Sequence, residues 1–188
     1  MDLVDKIEHA RFLGREFLVW LWFESEVLEG QLEASGIGAV ELFPEAQIVL
    51  VQEKEQSRMK GAVPSMTPEA HEALRQGKLP TQAKFRVVLE GQEFSFVLAA
   101  DTLAMTSVKI PAVLKEETDE QFYERMHLVE DLEALVGALY GTFVSLRLSQ
   151  AWDGVAETIR AWVGDQEIDA DGYRRVRGKV KALGAKKK

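Results

Sequence analysis

Residues 67–111, TPEAHEALRQGKLPTQAKFRVVLEGQEFSFVLAADTLAMTSVKIP, decide the fold. Thr67 and Pro68 predict the start of a helix, because threonine is a favoured N-cap and proline is favoured at the first helical position. Glu69 adds an acid to the first turn, where it complements the helix dipole. Gly77 predicts the end of this helix. The stretch therefore opens with one short, well-delimited helix.

Three short runs downstream of that helix alternate apolar with polar residues, which is typical of half-buried strands. Turns are predicted at Gly91-Gln92 and at Asp101-Thr102. The inward positions would be Ala83, Phe85, Val87, Leu89, Phe94, Phe96, Leu98, Thr106, Val108 and Ile110. The pattern predicts a three-stranded antiparallel meander with one apolar face.

The N-terminal part of the chain predicts a buried aromatic helix followed by strands. Residues 12–28, FLGREFLVWLWFESEVL, form the helix, and residues 39–51 form two short strands separated at Pro44. The aromatic residues of the helix fit a core or subunit interface, and they also fit a platform for stacking single-stranded bases. The scarcity of nearby cations favours a core or subunit-interface helix over the stacking platform, and the predicted interface residues are Phe17, Trp20 and Trp22.

The C-terminal part predicts a pair of helices. Thr118 and Gln121 have the spacing of a capping box, and apolar residues recur every three or four positions from there to about Arg147. Ser149 is predicted to cap the second helix. The predicted fold class is α+β, with an antiparallel sheet whose three-stranded meander packs against an aromatic N-terminal helix and a long C-terminal helix pair.

Charge divides the chain into two unequal parts. Residues 174–188 hold eight of the 23 basic residues and no acid, whereas residues 1–173 hold 15 bases against 31 acids. We therefore predict a single α+β domain over 1–173 and a basic flexible tail over 174–188. Two interpretations of the tail remain open, a solvated end and an arm that binds polyanions through Arg174, Arg175, Arg177, Lys179 and Lys181.

Four further cations fall on or beside the predicted meander: Lys78, Lys84, Arg86 and Lys109. Lys84 and Arg86 share the strand face opposite Phe85, so together they would form a small patch for phosphates. The alternative is an ordinary solvated outer face of a sheet.

No catalytic or cofactor motif accompanies these patterns. His9, His71 and His127 lack the spacing of metal ligands, and the chain has no cysteine. No apolar run reaches the length of a membrane span, and the first residues lack the order of a signal peptide. We therefore expect a cytoplasmic protein that is not an enzyme and uses neither cofactor nor metal.

The order of these segments resembles the C-terminal half of the recombination-associated protein RdgC family. The resemblance covers roughly residues 10–163 and rests on FLxxEFxxWLW in the aromatic helix, the strand pair, TPEAHEALRQGK, the meander, the acidic loop and the long helix. It implies a nucleoid-associated protein that binds double-stranded DNA with little sequence preference. It also implies ring-shaped homodimers that restrain RecA filaments.

Departures from the family pattern qualify that expectation. Gly77, Lys78 and Lys109 match its Gly-Lys pair and basic strand residue, but Gln82 and Thr106 stand near positions that tend to be basic. The family's N-terminal half has no counterpart here, so ring closure would require a separate chain. Two functions follow: a double-stranded DNA-binding accessory protein of recombination, or a protein-interaction subunit that docks a partner through its aromatic helix without contacting DNA.

Overall fold

The computed structural model describes residues 3–52, 55–61, 67–113 and 117–185. Within these ranges five helices accompany one antiparallel sheet of six strands, which confirms the α+β class. The elements are, in chain order, α1 (Leu3–Val27), β1 (Gln31–Ala34), β2 (Gly38–Gln52), β3 (Glu55–Gly61), α2 (Pro68–Arg75), β4 (Leu79–Leu89), β5 (Gln92–Ala99), β6 (Met105–Lys109), α3 (Thr118–Arg147), α4 (Trp152–Val163) and α5 (Ala170–Ala185).

Strand β2 organises the sheet, whose strands follow the order β1-β2-β4-β5-β6. One edge of β2 pairs with β4, and β3 pairs with β2 off this path, over residues 46–52. The prediction of two short strands broken at Pro44 is wrong, because β2 runs through this residue. The amide of Leu42 donates to the Gly30 carbonyl at 2.9 Å. Alternate residues of a strand point their amides to the same edge, so Pro44 has its nitrogen on the edge to which the Leu42 amide points. Pro44 lies between the part of β2 that pairs with β1 and the part that pairs with β3, so no strand-to-strand hydrogen bond from its nitrogen is lost.

The predicted meander is confirmed as β4-β5-β6. Its first turn lies at Glu90 and Gly91, one residue earlier than predicted, and both have positive φ, +50° and +78°. Such dihedrals suit a two-residue hairpin loop. In β6 the register shifts beside Ser107, which has φ +52°. As a result Val108 is exposed instead of pointing into the core.

Helix α1 covers the inner face of the sheet and lies against β4 and β2. It begins at Leu3, earlier than the predicted residue 12. Gly14 lies so close to Ala100 that a Cβ at this position would overlap the Ala100 carbonyl oxygen. This close approach seats the aromatic part of α1 on the core residues Phe85 and Phe96.

Helix α2 follows its sequence signals. Thr67 occupies the N-cap with extended dihedrals, although its hydroxyl makes no capping bond, and Pro68 is the first helical residue. Gly77 has φ +83°, and its amide donates to Leu74 while the next amide donates to Ala73. This paired pattern is the usual closure of a helix by glycine.

The starts of the C-terminal helices differ from the prediction. Glu117, not Thr118, is the N-cap of α3, so the predicted capping box is wrong. Ala151, not Ser149, is the N-cap of α4, and Ser149 lies two positions earlier, where its Oγ accepts a hydrogen bond from the Ala151 amide at 3.2 Å. The helix pair itself is confirmed.

Helix α5 replaces the N-terminal part of the predicted flexible tail. Tyr173 is buried in the core and Arg177 is only 14% exposed, so this segment docks on the domain. Like-charge repulsion along the segment is offset by carboxylates that precede it or lie on other elements, namely Asp169, Asp171 and Glu24. Residues 186–188 and the side chains of Lys179 and Lys181 lie outside the described residues.

Candidate nucleic-acid interface

The face of the sheet that points away from α1, here called the outer face, carries the candidate interface. Residues paired across antiparallel strands point to the same face. Phe85 and Val87 are buried toward α1, so Lys84 and Arg86 point outward. The strand pairings extend this face to five cations and four acids: Arg58, Lys60, Lys84, Arg86, Lys109, Glu33, Glu41, Glu45 and Glu93.

The two predicted cations of β4 are both paired within the protein. The Lys84 Nζ atom lies 2.8 Å from Glu45 Oε1, and the Arg86 Nη1 atom lies 3.3 Å from Glu93 Oε2. The Arg86 guanidinium also lies over the Phe43 ring, 5.1 Å from its centroid. These partners hold both side chains in place and cancel much of their local charge.

Three other cations of the outer face have no ion-pair partner among the described residues. Lys109 lies on β6, cross-strand from Ser95, and the sequence analysis had identified it. Arg58 and Lys60 on β3 were missed. They flank Met59, which packs against the core, so both point outward and are exposed. The alternation around Met59 was the sequence signal for this strand.

Lys78 does not belong to this group. Its Nζ donates to the Ser57 hydroxyl at 3.0 Å. Ser57 pairs with the fully buried Leu50 and thus lies on the inner face. The structure therefore separates Lys78 from the cations of β4 and β6. Gln82 is exposed on the outer face, and Thr106 is paired with Val97 there.

Arg177 takes part in a buried polar cluster, the α1–α5 joint, formed by Trp20, Glu24, Tyr173 and Arg177. Its Nη2 atom lies 3.0 Å from Glu24 Oε2 and donates to the Glu33 carbonyl at 3.1 Å. The Tyr173 hydroxyl donates to Glu24 Oε1 at 2.6 Å and accepts from Trp20 Nε1 at 3.2 Å. This arginine fastens α5 and is not available for DNA, contrary to the prediction.

Burial dominates the electrostatics of the α1–α5 joint. The Glu24 side chain is fully buried, and this desolvation raises its pKa to about 7, although Arg177 and the Tyr173 hydrogen bond both act to lower it. Burial, reinforced by the Glu24 carboxylate, raises the pKa of Tyr173 as well. The hydroxyl thus remains a hydrogen-bond donor over the physiological pH range.

The remaining predicted tail residues stay at the surface. The Arg174 side chain is 51% exposed and lies 3.1 Å from Asp171, and that of Arg175 is 75% exposed and lies 3.7 Å from Asp169. Exposed pairs of this kind are weak and open readily. Both arginines remain accessible to an anionic ligand.

Phe17, Trp20 and Trp22, the predicted interface residues, are buried inside the chain's own core. Phe17 and Trp20 pack on Phe143, with ring centroids 5.6 Å apart in both pairs. They are not available to stacked bases in this fold. Their burial fits the interpretation of this helix as a core element and argues against a stacking platform, whereas docking of a partner through the helix stays a prediction.

A second polar cluster, missed in the sequence, joins α1, α2 and α4. Glu26 accepts hydrogen bonds from Trp22 Nε1 at 2.6 Å and from Trp162 Nε1 at 2.8 Å. His71 packs edge-on against both indole rings, with its Nε2 3.5 Å from the same carboxylate. Because indole donors occupy both oxygens of Glu26, this carboxylate is a structural acceptor. His71 is a packing histidine.

Comparisons with known proteins name no relative for this arrangement: no family model matches the chain, and no curated protein is significantly similar to it. In the part of the chain that the structure describes, no group of three or more histidine, aspartate or glutamate side chains is placed to hold a metal ion. No described helix is long and apolar enough to cross a membrane.

Proposed function

We propose that the protein binds double-stranded DNA without sequence preference through the outer face of its sheet. One observation carries the proposal: five cations of β3, β4 and β6 share this face, and Arg58, Lys60 and Lys109 have no ion-pair partner among the described residues. Phosphate oxygens are the ligands that such isolated surface cations attract.

The spacing of these cations suits a duplex. The path from β3 through β2, β4 and β5 to β6 crosses four strand-to-strand steps, or about 19 Å. The major groove of DNA is about 12 Å wide. Arg58 and Lys109 lie at opposite ends of this path and are offset by four residues along the strands, so together they span more than the width of one groove.

Two features favour binding without sequence readout. Lysine side chains contact phosphates as point charges and read no base edges. The cations also project from a broad sheet and not from a helix shaped to enter the major groove. The formal net charge of the chain is −8, so long-range repulsion opposes DNA and binding depends on the local charge of this face.

The RdgC resemblance extends the proposal to a biological role. The protein would act as a nucleoid-associated accessory of recombination that restrains RecA-type filaments by occupying the duplex, without turnover. Its assembly would be a homodimer, or a complex with a separate protein chain. The accessible Arg174 and Arg175 would add affinity for any DNA sequence alike.

The test is the salt dependence of binding to a labelled random-sequence duplex, starting at about 50 mM salt. A matched pair of triple variants separates the outer face from general charge. One carries Arg58→Gln, Lys60→Gln and Lys109→Gln. The other removes the same charge from helix surfaces through Arg15→Gln, Arg125→Gln and Arg160→Gln.

We expect the outer-face variant to lose most affinity, and its log-log salt slope to become less negative by about 0.9 per lost phosphate contact, or about 2.7 for three. The helix variant should change the slope much less. Equal slopes for the two variants, or no binding by the unmodified protein at low salt, would contradict the proposal.

A further inference from the structure

A groove of about 600 Å³ separates α3 from the β6 edge of the sheet. Met105 and Val108 line it on the sheet side, and Val136, Gly137, Tyr140 and Gly141 line it on the helix side. Strand β6 is the last strand of the sheet, so the groove lies along an edge and not on the outer face.

The apolar lining of the groove continues along α3 beyond the core. Phe122, Met126 and Val129 repeat at the helical spacing that leads to Val136 and Tyr140, so they share one face. Phe122 is 59% exposed and Met126 is 44% exposed. None of residues 117–127 is buried, which means that the first turns of α3 present an apolar surface that the described residues leave uncovered. We call this whole surface, from Phe122 to Val144 with the groove, the α3 stripe.

Two details of the α3 stripe indicate that it binds a ligand. Tyr140 is 5% exposed, and its hydroxyl has no hydrogen-bond partner among the described residues. A buried hydroxyl without a partner is unfavourable unless a ligand satisfies it. In addition, a Cβ at Gly137 or Gly141 would meet no atom within 4 Å. Two glycines four residues apart leave room for another backbone to approach α3 closely.

The charge around the α3 stripe specifies the kind of partner. Residues 118–133 contain six acids and one arginine. A second copy of the chain would place two such acidic helices side by side, which like-charge repulsion opposes. A basic partner would instead gain from complementarity, both in approach and in the bound state.

We propose that the α3 stripe binds an amphipathic helix of another protein, whose apolar face is flanked by lysine or arginine side chains. Helices of this kind lie in apolar grooves through residues at the i, i+3, i+4 and i+7 positions. The distance from Phe122 to Val144 corresponds to about 33 Å of helix, so a segment of about 20 residues covers it. The proposal does not depend on DNA binding, because the α3 stripe and the outer face are different surfaces.

The test uses two synthetic 20-residue amphipathic peptides with the same leucine face, one with lysine flanks and one with glutamate flanks. Fluorescence anisotropy measures their binding to the full chain at low salt. We expect the lysine peptide to bind about tenfold more tightly than the glutamate peptide, a difference that shrinks as salt is added. Equal binding, or no binding of either peptide, would overturn the proposal.

Substitutions then locate the site. Gly141→Leu fills the groove and should weaken the lysine peptide by about tenfold, whereas Gly154→Leu on α4, which also has open space at its Cβ, should leave it unchanged. Tyr140→Phe should weaken binding severalfold. Gly141→Leu alters a helix surface, so the thermal midpoint of this variant is measured too. If the Gly141→Leu variant unfolds, Met126→Glu on the exposed turns of α3 serves as the second variant.

Sedimentation of the unmodified protein distinguishes a helix of another protein from a second copy of this chain as the occupant of the α3 stripe. A protein that remains monomeric over the concentration range used supports the partner helix. A dimer that Gly141→Leu dissociates would show that a second copy fills the α3 stripe, and would overturn the proposal. Binding of the lysine peptide that Gly141→Leu and Met126→Glu both leave intact would overturn it as well.

Discussion

The outer face of the sheet and the α1–α5 joint both place arginines beside carboxylates, yet they use this charge in opposite ways. In the joint, the Arg177 side chain is 14% exposed and pairs with a carboxylate that is fully buried. On the outer face, the Arg86 side chain is 36% exposed and that of its partner Glu93 is 65% exposed. Water therefore screens the Arg86–Glu93 pair but is largely excluded from the Arg177–Glu24 pair.

The difference shows that burial of the partner, not the local density of bases, decides what an arginine does. Arg175 and Arg177 lie two residues apart on α5, in the most basic segment of the chain. Arg177 meets Glu24 and becomes part of the core, whereas Arg175 faces solvent. A basic run in a sequence is therefore not by itself a binding surface.

The largest effect should come from breaking the joint. Arg177→Met leaves the Glu24 carboxylate buried without a cation, which typically costs about 3–5 kcal/mol of unfolding free energy. The matched control Arg175→Met, on the exposed side of the same helix, should stay within about 0.5 kcal/mol. Urea denaturation of both variants at neutral pH measures the difference. Equal midpoints would mean that α5 is not fastened through this cluster.

Sequence patterns predicted the parts of the fold that depend on neighbouring residues. The Thr67-Pro68 start and the Gly77 stop act within one helical turn, and the alternation from Phe85 to Leu98 depends only on the strand period. Both were confirmed. Pro44 was misjudged because its place in β2 depends on a gap between two other paired stretches of the sheet.

The candidate site was harder to predict, because each cation depends on a distant partner. Glu24 lies 153 positions before Arg177, and Glu45 lies 39 positions before Lys84. No local pattern encodes such pairings. Arg58 and Lys60 were missed for a related reason: Met59 is the single apolar side chain of β3, so the alternation around it is too short to predict a strand without the pairing to β2.

The second prediction uses pH to sharpen the same comparison. The folded-state pKa of Glu24 is raised to about 7, above the value of 4.5 for a free glutamate. Between these two values the folded protein binds one more proton than the unfolded chain. The unfolding free energy should therefore fall as pH rises from about 4.5 to about 7, by up to about 3 kcal/mol, and level off above.

Glu24→Gln should remove this component, since the amide does not titrate. Glu93→Gln, in the solvent-exposed pair of the outer face, should retain it. Denaturation midpoints across this pH range provide the measurement. A Glu24→Gln profile with the same slope as that of the unmodified protein would show that another group carries the pH dependence.

The smallest effects are expected on the outer face itself. Arg86→Gln removes one member of a pair that water screens, and exposed ion pairs contribute about 0–1 kcal/mol to stability. The Lys84 and Glu45 side chains are only 22% and 27% exposed, so Lys84→Gln should cost more stability than Arg86→Gln. Their effect on DNA should be larger than their effect on folding if the outer face binds phosphates, because Glu45 and Glu93 would then be left unpaired beside the duplex.

The neutralising substitution of the partner carboxylate, Glu93→Gln, should strengthen duplex binding, since it frees Arg86 and also removes a repelling charge. Duplex affinity and thermal midpoint measured together on Arg86→Gln and Glu93→Gln decide the matter. A weaker duplex affinity for Arg86→Gln and a stronger one for Glu93→Gln, at nearly constant thermal midpoint, fit a phosphate-binding face. If both variants bind the duplex with the same affinity, Arg86 is only a structural cation held over the Phe43 ring.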